Sequence, residues 1–358
     1  MFCANTLPGV KCRLPGRWLR IGWRAAAGLA LLLAARQDAG AVTGQPAFDA
    51  AAEQVTELRT LERVKSALDR SMDYMMAKQR PDGGWSQNNA GNALALLAFM
   101  GRGHVPGRGP YREVLERGKR YLLSVQDEKT GFFNGRMYEH GLSTLALAEM
   151  YGMDPDPKLE GGLRKAVDLI LKAQSPSGGW RYTPTPGDQD MSVTVMQIVA
   201  LRAANNAEIP VPAEVFSKAI AYVRSCAVPA GGFSYSAGGG VTPQMAAAGS
   251  LSLQLLGQYE DERIPRAMDY MATLPVQWGG GSIQYFYYFH YYAMQGHYQA
   301  GGKYWNAWHP QIRELLLDKQ NTDGGWSAVS GEGEDPYPTA MASLILEVYL
   351  HFLPAYQR

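Results

Sequence analysis

The sequence predicts an all-α protein in which six helical hairpins close into a double ring, with inner helices lining a barrel and outer helices facing water. Three observations carry this expectation. A glycine turn followed by an aromatic residue recurs at Trp85, Phe133, Trp180, Phe233 and Trp326, with an irregular copy near Trp278 where the indole precedes the glycines, and the successive separations are 48, 47, 53, 45 and 48 residues. A fixed period of this length marks a repeat architecture. Each turn joins an amphipathic stretch to a far more apolar one, and strand-like alternation is hard to find anywhere.

The first hairpin begins with "LERVKSALDRSMDYMMAKQ", apolar at helical spacing and charged elsewhere, passes through "QRPDGGWS", and continues as "GNALALLAFMG". The second turns at "QDEKTGFF" into "HGLSTLALAEMYG". The third runs "LRKAVDLILKAQ", "QSPSGGWR", "SVTVMQIVALRAA". The fourth has "CAVPAGGF" before "MAAAGSLSLQLLG", with Cys226 where the other turns carry glutamine, and this thiol reads as buried and inert. The fifth is irregular, "QWGGGSIQ" leading to "YFYYFHYY", and the sixth closes with "QNTDGGWS" and "TAMASLILEVYLHF". The charged helices require water and the apolar ones require shielding on most sides. A closed ring meets both needs without capping repeats and places the N-terminal ends of all six inner helices around one mouth. In each turn glutamine supplies amide hydrogen bonds, glycine permits the left-handed bend, and the indole packs beneath the neighbouring hairpin.

The 358 residues are 46% hydrophobic and 19% charged, enough for a large core and unlike a disordered chain. Residues 1–41 hold six basic residues against Asp38 alone, an apolar run from Ala25 to Ala35, and small residues at 39–41. That order is the pattern of a secretory signal peptide, and the run is too short to span a bilayer. The expected organisation is a signal peptide over 1–41, a linker over 42–58 and one toroidal domain over 59–358, in a protein exported to the periplasm or cell envelope. Without the leader, 28 basic residues face 32 acidic ones, so no basic stripe remains for nucleic acid. The expected partner is an apolar small molecule; membrane-surface association is compatible with the sequence, and the oligomeric state is left open.

Glutamine, a spacer, glycine, any residue and tryptophan, in full at residues 79–85, 174–180 and 320–326, resembles the QW repeats of squalene and hopene cyclases and of protein prenyltransferase β subunits. The resemblance covers the chain from about residue 60 onward and implies an α/α toroid. Class II terpene cyclases carry Asp-x-Asp-Asp before Thr or Ser at an inner-helix start. In "GDQDMS" Asp188, Asp190 and Ser192 match, while Met191 replaces the last acid. The resemblance makes Asp190 the catalytic proton donor and Asp188 its partner; loss of one carboxylate leaves Asp190 less able to keep its proton. Prenyltransferases bind zinc through aspartate, a nearby cysteine and a distant histidine. His290 resembles that histidine, but no Asp-x-Cys precedes it, so no metal and no cofactor is expected.

The first turns of the inner helices gather candidate substrate-binding residues at the mouth: Glu139, His140, Gln244, Tyr288, His290, Tyr291 and Tyr337. Each has a plainer reading. Asp188 and Asp190 suit helix capping, the histidines suit hydrogen-bonded helix ends, and much of the aromatic run 285–292 suits core packing. Glu332, Glu334 and Asp335 in "SGEGEDPYPT" read as a solvated acidic loop, with a cation site as the other option. The expected activity is acid-initiated cyclisation or isomerisation of an isoprenoid by a terpene cyclase/mutase-like isomerase. The rival is a non-catalytic envelope binding or scaffold protein on the same toroid, and a glycan-cleaving toroid using Glu139 and Asp190 is a third option.

Overall fold

A computed structural model of the chain describes residues 45–350 apart from 280, 282, 330 and 331, with side chains from residue 55 onward except at 349. The signal-peptide stretch 1–41 lies outside the described residues. Twelve α-helices and no strand occur among them: α1 Gln45–Lys78, α2 Asn89–Gly101, α3 Arg112–Val125, α4 Met137–Met153, α5 Pro157–Ala173, α6 Met191–Asn206, α7 Ala213–Ser225, α8 Pro243–Leu255, α9 Arg263–Ala272, α10 Phe286–Ala300, α11 Gly302–Lys319 and α12 Tyr337–Glu347. The chain divides into Met1–Thr60 and Leu61–Arg358. Of the first unit the structure describes the opening turns of α1, which begin at Gln45 within the stretch read as linker.

In the second unit the even-numbered helices form the inner ring. Each packs on the next, α2 on α4 and so on to α12, and α12 packs back on α2. The toroid is therefore closed. Sequence explains the two rings: all of α2 is buried, whereas α3 buries Val114, Leu115, Gly118, Lys119 and Leu122, one face at helical spacing.

The recurring joint locks one hairpin to the next. The side-chain amide of Gln79 donates to Gly83 O within its own turn and to Val114 O of the following outer helix, both at 2.9 Å. Gln126 and Gln174 repeat the bridge to Gly162 O of α5 and Val215 O of α7, and Gln320 donates to Ala67 O of α1, closing the ring. Each indole N–H reaches its own outer helix ten residues back: Trp85 to Met75 O, Trp180 to Ile170 O, Trp326 to Leu316 O. The ring of Trp85 also lies against Gly118 of the next hairpin, where an added Cβ would come within 3.1 Å of Cζ3.

The glycine requirement is steric as well as conformational. Gly178 has φ +102°, and a Cβ there would lie 2.1 Å from Lys218 O on the next outer helix. Gly83 and Gly324 meet Arg117 O and Arg70 O in the same way, each at 2.5 Å. Only a residue without a side chain lets backbone approach backbone so closely.

Candidate functional site

The N-terminal ends of all six inner helices converge on a cavity of about 750 Å³. Its wall takes residues from every inner helix start: Asn88, Tyr138, Ser192, Gln244, Tyr288 and Tyr337 are one from each. Tyr182, Tyr235 and Tyr285 complete a set of six tyrosines, and Arg136, Glu139, Glu332 and Glu334 supply charge. This volume is in the range that encloses small organic ligands, and the wall sets the six tyrosine rings among polar and charged side chains that can orient one.

Four of the tyrosines form two pairs. Tyr138 and Tyr288 stack with centroids 6.5 Å apart, and the hydroxyls of Tyr182 and Tyr235 lie 3.0 Å apart. Arg136 sits over the ring of Tyr182 at 5.5 Å. Burial holds the hydroxyls of Tyr138, Tyr288 and Tyr337 protonated far above the ordinary phenol range. Tyr285 occupies the N-cap of α10 at φ 53°, a left-handed conformation that is strained for any residue with a Cβ. Its ring remains 56% exposed at the mouth.

Four of the residues singled out from sequence line this cavity: Glu139, Gln244, Tyr288 and Tyr337. Glu139 accepts from Arg136 N at 2.9 Å and from Asn88 Nδ2 at 3.3 Å, fixing the start of α4. Gln244 donates to Gln284 O. The Tyr288 hydroxyl donates to Ser192 O at 3.4 Å, tying α10 to α6 across the mouth.

The others stand elsewhere, for reasons that are local. Asp190 is fully buried as the N-cap of α6, its Oδ1 accepting from Val193 N at 2.9 Å and from Ser192 Oγ at 2.6 Å. Its Oδ2 lies 3.9 Å from Arg181 Nε. Asp188 is 88% exposed and 3.6 Å from the same guanidinium. Neither carboxylate is among the residues of the cavity wall. His140 is a joint residue: its Nδ1 accepts from Phe133 N and its Nε2 donates to Ala166 O, the role Asn92 and Thr194 play toward the backbone N–H of Trp85 and Trp180. Burial lowers its pKa to about 4, so the ring is neutral. His290 is enclosed by Phe286, Phe289 and Trp308, and burial lowers it to about 3. Tyr291 is buried beside Tyr292. Of the aromatic run 285–292, Tyr285 and Tyr288 reach the cavity and the rest pack into the wall behind it.

Glu332 corrects the reading of "SGEGEDPYPT" as a solvated loop. Glu334 and Asp335 are exposed, but Glu332 is only 5% exposed. It reaches from the loop before α12 to the start of α10, where Oε2 accepts from Tyr287 N at 2.7 Å and Oε1 from Tyr288 N at 3.0 Å. The Tyr337 hydroxyl donates to Oε1 at 3.3 Å. Burial raises its pKa to about 7, while these three hydrogen bonds pull the other way. Its sequence signal is the partnerless start of α10, which has no capping side chain of its own. Among the described residues no group of three or more His, Cys, Asp or Glu is placed to hold a metal ion.

Known proteins agree with this architecture. The chain is similar to lanosterol synthase erg7A of Aspergillus fumigatus, 29% identical over 133 residues that span 33% of the chain and 17% of the synthase. The chain thus matches only a small part of that relative's length. Its fold is similar to that of the type II terpene cyclase MstE from Scytonema, solved with geranylgeranyl dihydroxybenzoate, at TM-score 0.58 and 13% identity over 83% of this chain and 99% of that one. It is also similar to an α-1,6-mannanase of Salegentibacter sp., solved with α-1,6-mannotriose, at TM-score 0.59 and 12% identity over 79% and 98%. Both likenesses are of fold alone. Residues 50–141 and 120–352 match the prenyltransferase alpha-alpha toroid domain, and the chain belongs to that family.

Proposed function

We propose that the chain is an exported envelope protein, with a signal peptide over 1–41 and one toroidal domain, that takes an isoprenoid or similar apolar molecule into the tyrosine-lined mouth of its barrel. The single observation behind this reading is the composition of that wall: six tyrosines around about 750 Å³, with charge confined to a few carboxylates and Arg136. Tyrosine faces contribute apolar area and attract developing positive charge, while the hydroxyls orient polar ends of the ligand. Glu139, Gln244, Tyr288 and Tyr337 are the proposed ligand contacts. The terpene cyclase MstE holds an isoprenoid substrate and the product merosterolic acid A on the same fold, which supports this class of ligand. Acid-initiated cyclisation or isomerisation is the chemistry such a cavity favours; a binding or scaffold protein without turnover is the alternative.

Glycan binding is the second reading. The presence of Glu139 and Glu332 in one cavity favours it, because paired carboxylates hydrolyse glycosidic bonds, and the mannanase shares the fold. Calorimetric titration of the purified chain with squalene, geranylgeranyl dihydroxybenzoate and α-1,6-mannotriose separates the readings. Saturable isoprenoid binding that Tyr288→Ala abolishes supports the first. Mannotriose binding in its place transfers the site to glycans, and no binding of any of the three rejects both.

A further inference from the structure

We propose that Glu332 is the proton-exchanging group of this cavity, taking the place that the acidic motif at Asp190 holds by resemblance. The inference rests on the isoprenoid reading above and assigns it a donor.

Position comes first. Glu332 lines the cavity and is nearly enclosed by protein, whereas Asp190 is absent from that wall and spends its Oδ1 on capping α6. A donor must reach the reacting carbon, and among the carboxyl groups of the described cavity wall Glu332 is the buried one, Glu139 being half-buried and Glu334 exposed. Satisfaction of its oxygens comes next. Oε1 receives two hydrogen bonds, from Tyr288 N and the Tyr337 hydroxyl, and Oε2 receives one, from Tyr287 N. A carboxylate oxygen has two acceptor sites, so Oε2 keeps one on which a proton can sit without displacing any partner.

The anion left after donation is provided for as well. The backbone N–H groups of Tyr287 and Tyr288 open α10, and a helix start stabilises a negative charge placed against it. Burial favours the acid form and these bonds favour the anion, which holds the group near neutrality and able to run both ways. Other charged or titratable groups of the cavity are Arg136 and Glu139 at the start of α4, Tyr138 on α4, Tyr182 and Tyr235 in the loops before α6 and α8, Tyr285 and Tyr288 at the start of α10, Tyr337 at the start of α12 and Glu334 on the same loop.

The step balances without a co-reactant. Glu332 Oε2–H gives its proton to one carbon of a terminal alkene, the alkene pair forms the new C–H bond, and the neighbouring carbon becomes cationic. Tyr138 and Tyr288, both on the cavity wall, place π-systems beside that charge. Attack by the next alkene forms the ring, and loss of a proton from a carbon beside the final cation restores neutrality. The glutamate is reprotonated by that proton or by solvent, so the product is an isomer of the substrate.

The test uses the whole chain and geranylgeranyl dihydroxybenzoate in deuterated water, with product read by mass spectrometry and binding read by calorimetry. Wild type should give a cyclised isomer carrying one deuterium, at a rate that falls as pH rises through about 7. Glu332→Gln should bind the probe and lose at least about a hundredfold in turnover, while Asp190→Asn stays within a few-fold. Tyr337→Phe, which removes a hydrogen bond that favours the carboxylate, should move the midpoint of the pH profile upward, an effect that mere misfolding would not produce. Full turnover in Glu332→Gln overturns the assignment. So does loss of turnover in a folded Asp190→Asn, an unmoved profile in Tyr337→Phe, or a wild type that binds the probe and returns it unchanged. The last result leaves the ligand reading intact, whereas absence of binding removes that reading itself.

Discussion

Two inner-helix starts, those of α6 and α10, solve the same problem in opposite ways. At α6 the cap is local: Asp190 lies next to the helix it serves, its oxygen is used twice within three residues, and a regular joint with Gln174, Gly178 and Trp180 stands behind it. At α10 the joint is irregular, the N-cap Tyr285 is strained and offers no side-chain bond, and the missing acceptor arrives from Glu332, 44 residues further on. The regular start buries its carboxylate in structure. The irregular start leaves one facing a cavity. Departure from the repeat, rather than the repeat itself, leaves a buried carboxylate beside the cavity.

The largest expected difference between these regions concerns acid. Four buried histidines are held neutral: His290 at about 3, and His140, His297 and His309 at about 4, each lowered chiefly by burial. Unfolded histidine titrates near 6.5, so the unfolded chain binds more protons below that pH. Their stabilisation is present above pH 6.5 and lost as pH falls toward 4, at roughly 1–2 kcal/mol for each between pH 7 and 5. Three of the four lie on α10 and α11. Hydrogen exchange at pH 5 should therefore open these helices before α5 and α6, and His290→Phe should reduce the fall in melting temperature. Equal opening of both regions would remove the distinction.

Glycine replacement separates the joints next. Gly178→Ala would put a Cβ against Lys218 O at positive φ and should cost about 3 kcal/mol or more. Gly279→Ala, also at positive φ (+80°) but with no atom of the described residues within 4 Å of the added Cβ, should cost only about 1 kcal/mol. Urea unfolding of the pair gives the comparison directly; similar losses would mean that the tight approach at the regular joint is not what the motif preserves.

This contrast also explains what the sequence disclosed. Period, ring closure and the joint glutamines were legible because each rests on bonds repeated at fixed separation, such as Gln79, Gln174 and Gln320 to the next outer helix. Glu139, Gln244, Tyr288 and Tyr337 were legible as residues of the inner-helix first turns. Tyr182 and Tyr235 were not, because they come from the loops after the third and fourth joints, where no period fixes their direction. Glu332 was hidden by its neighbours: beside Glu334 and Asp335 it has the composition of a solvated loop, and its burial depends on a helix start far away in sequence. The match to an acidic motif at Asp190 was sound as a pattern, yet capping uses that residue type at that place equally well.

Capping chemistry gives the third measure. Asp190→Ala removes the acceptor of Val193 N and should cost about 1–2 kcal/mol, whereas Asp190→Asn, whose amide oxygen still accepts, should lose only a few tenths. An Asn variant as damaged as Ala would show that the charge near Arg181 matters more than the cap.

Glu332 should give an effect of about the size of the cap's and of the opposite pH sign to the histidines'. Its folded pKa of about 7 lies above the ordinary glutamate value, so its stabilisation is complete below pH 4.5 and is lost as pH rises through 7. Wild type should therefore lose about 2 kcal/mol relative to Glu332→Gln between pH 5.5 and 8, the order expected for a shift of this kind. Melting curves of wild type and Glu332→Gln at three pH values decide it. Parallel behaviour of Glu332→Gln and wild type across that range would mean that the glutamate stays ionised throughout, held by the N–H groups of α10, and a permanently ionised carboxylate has no proton to give.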